Sequence, residues 1–194
     1  VALTSVSLSK VKNLTGDKIT VKLNDKDTEI QDAAKLALAK INAGTATAED
    51  YEYAGVVDVI AANLDDVKAA VAAAKATKKA DLTLDEIQVV VDKINAKDKE
   101  TVADAVYNLD ITFAAGDIAE AVTKGFNVAI ADGEVEITWE SDNEAITVAA
   151  DGKVTVTRPA KGEEDVIVEL TATLAKGLWY AEKVFTLTVK ALTE

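Results

Sequence analysis

The stretch "EVEITWESDN", Glu134 to Asn143, alternates apolar and polar side chains and places a tryptophan just before a group of turn residues. Because successive side chains of a strand point to opposite faces of a sheet, Val135, Ile137 and Trp139 share one face. In a β-sandwich the inward side chains fill a gap of about 10 Å, and Trp has the largest side chain for doing so. The pattern therefore predicts that Trp139 is a core residue rather than an exposed ring that stacks on a sugar.

Short alternating runs of this kind continue through the C-terminal part of the chain. Turn signals such as "AAGD", "ADGE" and "AADGK" separate them at the spacing expected of a sandwich. The only Pro, Pro159, lies in a predicted loop, where its missing N–H costs no ladder hydrogen bond. We expect strands at 109–113, 126–130, 135–139, 145–148, 153–156, 166–174 and 183–189.

Upstream of residue 109 the apolar residues of an Ala-rich segment follow a helical period. Three amphipathic stripes, which begin near Ile30, Leu64 and Leu84, predict a small helical bundle over residues 25–108. The pattern also marks helix termini. We expect capping boxes at Thr28 with Gln31 and at Thr83 with Glu86, an N-cap at Thr47 and a helix end at Gly55.

The first 24 residues form a third piece that is rich in β-formers. Residues 19–23, "ITVKL", alternate cleanly and predict a half-buried strand, and Val1–Ser9 is also β-prone. The sequence therefore predicts an α+β multidomain protein. An N-terminal β segment (1–24) and a small α-helical bundle (25–108) precede a β-sandwich (109–194).

Composition removes several classes of chemistry. The chain has no Cys, no His and no Met, so disulfides, thiolate zinc sites, cysteine nucleophiles and histidine bases are excluded. Its 34 Asp and Glu against 21 Lys and Arg give a formal charge of −13. A surface of that sign disfavours nucleic acid and anionic lipid as partners, and no apolar run is long enough for membrane insertion. We expect no catalytic residues.

The C-terminal part resembles the atrophied bacterial immunoglobulin-like domains that occur as spacers in secreted glycoside hydrolases and Gram-positive surface proteins. The resemblance covers roughly residues 109–191 and implies an immunoglobulin-like β-sandwich. The segment "TVAADGKVTVTRP" is longer than the usual turn into the Arg-Pro pair. The motifs that carry the resemblance are "FAAGD" (113–117), "AVT" (121–123), "ITWESDN" (137–143), "DGKVTVTRP" (151–159), "VELTATLAKG" (168–177) and "KVFTLTV" (183–189).

The helical part is similar to the Ala-rich helical repeats of large bacterial surface and surface-layer proteins. The similar stretches are "TAEDYEYAGV", "AANLDDVKAAVAAAK" and "LTLDEIQVVVDKINA". Both resemblances imply a secreted bacterial protein at the cell surface.

Two groups of residues are candidates for binding. Asp25, Asp27, Glu29 and Asp32 supply the hard oxygen ligands that calcium prefers, although the Gly and the final Glu of an EF-hand loop are missing. The alternative is a set of acidic residues placed for a helix N-terminus. Trp179 and Tyr180 lie next to a turn, out of the apolar alternation, and are candidates for a surface contact.

The function that these features favour is a non-enzymatic extracellular structural protein that assembles with itself into a filament or surface layer. The N-terminal segment would donate a strand to a neighbouring molecule through the apolar residues Val1, Leu3, Val6 and Leu8. A passive spacer between domains of a larger surface protein, or an adhesion or carbohydrate-binding module, are the alternatives. The start "VALTSV", without Met, is expected of a processed product or a fragment.

Overall fold

A computed structural model describes residues 18–23, 26–31 and 33–193. These residues form two compact units. The first comprises the described residues up to Val59 together with Leu64–Val90, and the second comprises Ile60–Asn63 and the residues from Val91 onward.

The first elements among the described residues are an antiparallel pair of strands, β1 (Lys18–Leu23) and β2 (Lys26–Gln31). The predicted strand at 19–23 is therefore confirmed. The predicted capping box at Thr28 and Gln31 is wrong, because Thr28 lies opposite Val21 within β2 and the first helix begins only at Ala33. Pairing of "KDTEIQ" with β1 satisfies its backbone groups without a helix.

Within the described residues four helices follow: α1 (Ala33–Ala43), α2 (Ala48–Ala54), α3 (Leu64–Lys78) and α4 (Leu84–Asn108). The part of α4 from Val91 onward belongs to the second unit. The local signals at α2 are confirmed: Thr47 and Asp50 form a capping box, and Gly55 ends the helix with a φ of 86°. Thr83 and Glu86 likewise exchange hydrogen bonds at the start of α4. Buried residues of the first unit include Ala37, Ile41, Tyr51, Val67, Val71 and Ile87.

The second unit contains two antiparallel sheets. One has the order β3-β7-β6, from β3 (Phe126–Asn127), β6 (Ile146–Val148) and β7 (Lys153–Val156). The other has the order β4-β5-β8-β9, from β4 (Ala131–Asp132), β5 (Val135–Ser141), β8 (Val166–Lys176) and β9 (Trp179–Val189). An α+β fold with a C-terminal immunoglobulin-like sandwich is thus confirmed.

Three of the predicted strands differ in the structure. The strand predicted at 183–189 begins earlier, at Trp179, which is in phase with the inward residues of β9 and not out of the alternation. Residues 109–113 form no strand, and Thr112 makes a single bridge to Asn127. The reason is that α4 continues to Asn108 and the Leu109 amide still bonds to the carbonyl of Ala105 at 2.8 Å. The predicted strand at 126–130 is reduced to the two residues of β3, while β4 forms within the "ADGE" segment that was expected to be only a turn.

The inner face of the long strands β8 and β9 is covered in two different ways. Near one end Val168, Leu170 and Leu187 pack in a cluster with residues of the three-stranded sheet, such as Ile146 and Val154. Farther along, the four-stranded sheet is covered by the C-terminal half of α4. The helix-covered cluster consists of Val102, Ala105, Leu109, Val135, Ile137, Ala172 and Leu174.

Trp139 connects these two clusters, because its half-buried side chain packs against both. Its ring centroid lies 5.7 Å from that of Phe185, and its Nε1 donates a hydrogen bond to the Ala129 carbonyl at 2.7 Å. The prediction that Trp139 belongs to the core is confirmed, and the hydrogen bond explains how its one polar atom is accommodated there.

Candidate docking edge

The strand β9 forms one edge of the four-stranded sheet. All eleven of its residues pair with β8 in a continuous register, from Trp179 opposite Lys176 to Val189 opposite Val166. Within the described part of the chain, no strand of this sheet lies on its other side. An edge strand of this length presents a row of backbone donors and acceptors to its surroundings.

One end of this edge is covered by the loop that leads from α4 to β3. The Thr188 amide donates to the Ala119 carbonyl at 2.7 Å, and the Val122 amide donates to the Thr188 carbonyl at 2.8 Å. Thr188 therefore directs its backbone groups away from β8. Strand residues two apart direct their groups to the same side, so the open positions are Tyr180, Glu182, Val184 and Thr186. None of these four has an outward backbone partner among the described residues.

The usual devices that blunt an edge are weak along this stretch. The segment contains no Pro, and its register with β8 has no bulge. Its one cation, Lys183, donates from Nζ to the carbonyls of Val106 and Leu109 at 3.0 and 2.5 Å. That charge lies at the C-terminal end of α4, where the helix dipole favours it. It is therefore not placed to repel a strand that approaches the edge.

The two aromatic residues predicted as surface contacts have different surroundings. Trp179 is half-buried against the helix-covered cluster, and Lys99 Nζ lies 4.6 Å from the centroid of its ring. Tyr180, the next residue, is 70% exposed on the outer side of the sheet. Contact with a ligand at either residue stays a prediction, and Tyr180 is the one whose side chain is accessible for it.

The other predicted binding residues fall largely outside the described residues. This applies to Asp25 and Asp32 of the calcium candidate and to Val1, Leu3, Val6 and Leu8 of the donor segment. Asp27 and Glu29 lie in β2, opposite Lys22 and Thr20. Across the described residues, no group of three or more acidic side chains is arranged to hold a metal ion. Calcium binding stays a prediction.

Asp117, in the motif "FAAGD", has a structural role in the second unit. Asp117 accepts hydrogen bonds from the amides of Thr123 and Lys124 at 2.7 and 2.8 Å and from the Thr123 hydroxyl at 2.7 Å. Desolvation raises the pKa of Asp117, but these hydrogen bonds outweigh it and the pKa lies below its usual value. The carboxylate therefore fixes the loop between Asp117 and Lys124.

The Arg158–Pro159 pair lines a groove of about 480 Å³ together with Asn143, Glu144 and Glu163. Arg158 donates from Nε to the Lys190 carbonyl at 2.7 Å and from Nη2 to the Ala191 carbonyl at 2.5 Å. The guanidinium thus binds the residues after β9 to the loop between β7 and β8. This arrangement accounts for the Arg in structural terms and supplies no nucleophile.

Residues 102–192 match the family model of the atrophied bacterial Ig domain. The match confirms the resemblance, and it begins at Val102, where α4 enters the helix-covered cluster. Bacterial Ig-like domains are typical of surface or extracellular parts of larger proteins, and the family is typically non-catalytic. No curated protein matches the chain. The similarity of the helical part to surface-layer repeats stays a prediction.

None of the described helices is both long and apolar enough to cross a membrane.

Proposed function

We propose that this protein is a non-enzymatic structural component of a bacterial cell surface, which assembles with copies of itself by strand addition at the β9 edge. The observation that carries the proposal is the open row of backbone groups at Tyr180, Glu182, Val184 and Thr186. Strand addition obtains its affinity from main-chain hydrogen bonds and needs no special side chains. It therefore suits a chain whose composition offers little catalytic chemistry.

The donor in this proposal is the N-terminal segment of a second copy. Val1–Ser9 carries no charged side chain, in a protein with a formal charge of −13, so its approach adds no charge repulsion of its own. Nine extended residues span about 30 Å, and the open stretch from Tyr180 to Thr186 spans about 20 Å. The segment is therefore long enough to cover the whole open edge.

The side chains around the edge also favour an apolar donor. Tyr180 is 70% exposed and Val184 is 54% exposed. Both point to the outer face of the sheet, where they would flank alternate residues of an added strand. Burial of these two side chains would add hydrophobic stabilisation to the main-chain hydrogen bonds.

Electron microscopy and light scattering of the purified chain test this proposal against a copy that lacks Val1–Ser9. Both proteins are examined with calcium and with a chelator, and a synthetic peptide of residues 1–9 is added to the full chain in a third arm. We expect regular filaments or sheets from the full chain, loss of assembly on truncation, and shorter assemblies in the presence of the peptide. Single particles from the full chain in every condition would contradict self-assembly.

A passive spacer is the second candidate, and the Ig-domain match favours it. It predicts a monodisperse protein with and without Val1–Ser9. The third candidate is a carbohydrate-binding or adhesion module, which the exposure of Tyr180 favours. In that case a glycan array would show binding by the chain and its loss in Tyr180→Ala, with the fold unchanged.

A further inference from the structure

Three charged side chains of the second unit meet at the turn between β8 and β9. Lys176, the last residue of β8, places its Nζ 3.3 Å from Oδ1 of Asp98 in α4 and 2.8 Å from Oε2 of Glu134, just before β5. The side chains of Lys176 and Asp98 are only 9% and 3% exposed, whereas Glu134 is 75% exposed. An amine and a carboxyl group are thus held in contact away from water.

The Asp98 carboxylate is incompletely satisfied. Its Oδ2 is buried and has no hydrogen-bond partner among the described residues. The backbone of Gly177 lies directly beside this oxygen. Only Gly allows such a close approach, because a Cβ at that position would lie 2.5 Å from Oδ2. A positive φ of 58° also favours Gly at this first position of the two-residue turn. A buried ion with one unsatisfied oxygen is unfavourable, since burial removes hydration that a single ion pair does not replace.

We propose that Lys176 and Asp98 condense to an amide, which cross-links α4 to the β8–β9 hairpin within the folded chain. The reaction removes both buried charges. It also converts the unsatisfied carboxylate oxygen into the carbonyl oxygen of a neutral amide, which costs less to bury. The contact geometry, the burial of both groups and the unsatisfied Oδ2 carry this inference, which does not depend on self-assembly.

The step balances without any external reagent. One proton passes from Lys176 Nζ to Oδ1 of Asp98, which leaves an amine beside a carboxylic acid. The amine nitrogen then bonds to Cγ of Asp98. Glu134 accepts a second proton from Nζ and returns it to the hydroxyl on Cγ, whose C–O bond breaks so that water leaves. The products are an amide with one N–H, one water molecule and an unchanged Glu134 carboxylate.

The cross-link would resist unfolding of the helix from the sheet. Asp98 and Lys176 are far apart in the sequence, so an amide between them closes a long loop of the chain. Closing a long loop lowers the conformational entropy of the unfolded state and favours the folded one. A domain exposed to mechanical load at a surface would benefit from such a bond.

Intact-mass measurement of the purified full chain tests the proposal. We expect a mass lower than that of the sequence by one water molecule. Succinimides at Asp132–Gly133 or Asp151–Gly152 would give the same mass loss, so the position must be mapped by tryptic digestion. The amide blocks cleavage after Lys176 and yields residues 162–183 joined to the dipeptide Asp98–Lys99.

Two variants sharpen the result. Lys176→Arg keeps a cation beside Asp98 but replaces the amine with a guanidinium that does not act as a nucleophile, so we expect the full mass. Glu134→Gln keeps an exposed polar side chain but cannot carry the proton, so we expect cross-linking to slow at least about tenfold. Wild-type protein with the full mass after prolonged incubation overturns the proposal, as does a mass loss that maps only to the Asp-Gly sites. Unchanged cross-linking in Glu134→Gln overturns the role of Glu134.

Discussion

Trp139 stabilises the second unit at the point where its two hydrophobic clusters meet. We predict that Trp139→Ala lowers the free energy of unfolding by about 3–5 kcal/mol, because it leaves a cavity in contact with both clusters. Trp139→Phe retains an aromatic ring beside Phe185 and loses the hydrogen bond to Ala129, so we expect a loss of about 1–2 kcal/mol. Urea denaturation followed by circular dichroism measures both. A loss below about 1 kcal/mol for the Ala variant would show that Trp139 is not a core residue.

Asp50 couples the stability of the first unit to pH. A hydrogen bond from Lys40, at 2.7 Å, and one from the Thr47 amide hold the pKa of Asp50 below its usual value of 3.8. Because the folded pKa is depressed, the stabilisation is complete above the unfolded pKa and is lost as the pH falls through the folded pKa. We predict that the melting temperature falls less steeply below about pH 4 in Asp50→Asn than in the wild type.

The matched control for this prediction is Glu52→Gln, which removes a carboxylate from an exposed position of the same helix. Its acid dependence should follow the wild type. If Asp50→Asn and the wild type lose melting temperature in parallel between pH 5 and about pH 2, the capping box and the ion pair contribute nothing to acid sensitivity.

At the scale of elements, α4 is a constituent of the sandwich as well as of the helical part. Ala105 is buried in the helix-covered cluster, whereas Ala103, two residues away, is exposed. We predict that Ala105→Glu lowers the free energy of unfolding by about 3 kcal/mol or more, since it places a charge against the apolar sheet face. Ala103→Glu makes the same change to helix propensity and charge, so we expect an effect within about 0.5 kcal/mol. Equal effects of the two variants would contradict the packing of α4 on the sheet.

The helices and strands also show which sequence signals are sufficient to predict where an element begins or ends. Thr47 and Gly55 were predicted correctly because both partners of a cap lie within one helical turn of each other. Thr28 has the same local signal, but its strand pairs with β1, and a capping pattern contains no information about that partner. Residues 109–113 alternate like a strand, yet Leu109 completes the helix-covered cluster, which depends on residues of β5 and β8.

At the scale of the whole molecule, the sequence predicts the class of fold better than it predicts the candidate sites. Alternation and turn spacing indicate a sandwich, but they do not give the order of strands in a sheet. That order makes β9 the edge and leaves Val184 open. Similarly, no local pattern connects Asp98 with Lys176, because their contact arises from the packing of α4 on the β8–β9 hairpin.

The open edge of β9 is tested most directly by Val184→Pro, examined by electron microscopy and analytical ultracentrifugation beside Val184→Thr. Proline at this position removes the outward N–H and leaves the hydrogen bonds to β8 in place, whereas threonine keeps the N–H and a β-branched side chain. Circular dichroism should show both variants folded. We predict assemblies from the wild type and Val184→Thr, and monomers from Val184→Pro. Assembly of a folded Val184→Pro variant to the wild-type extent would contradict strand addition at this edge.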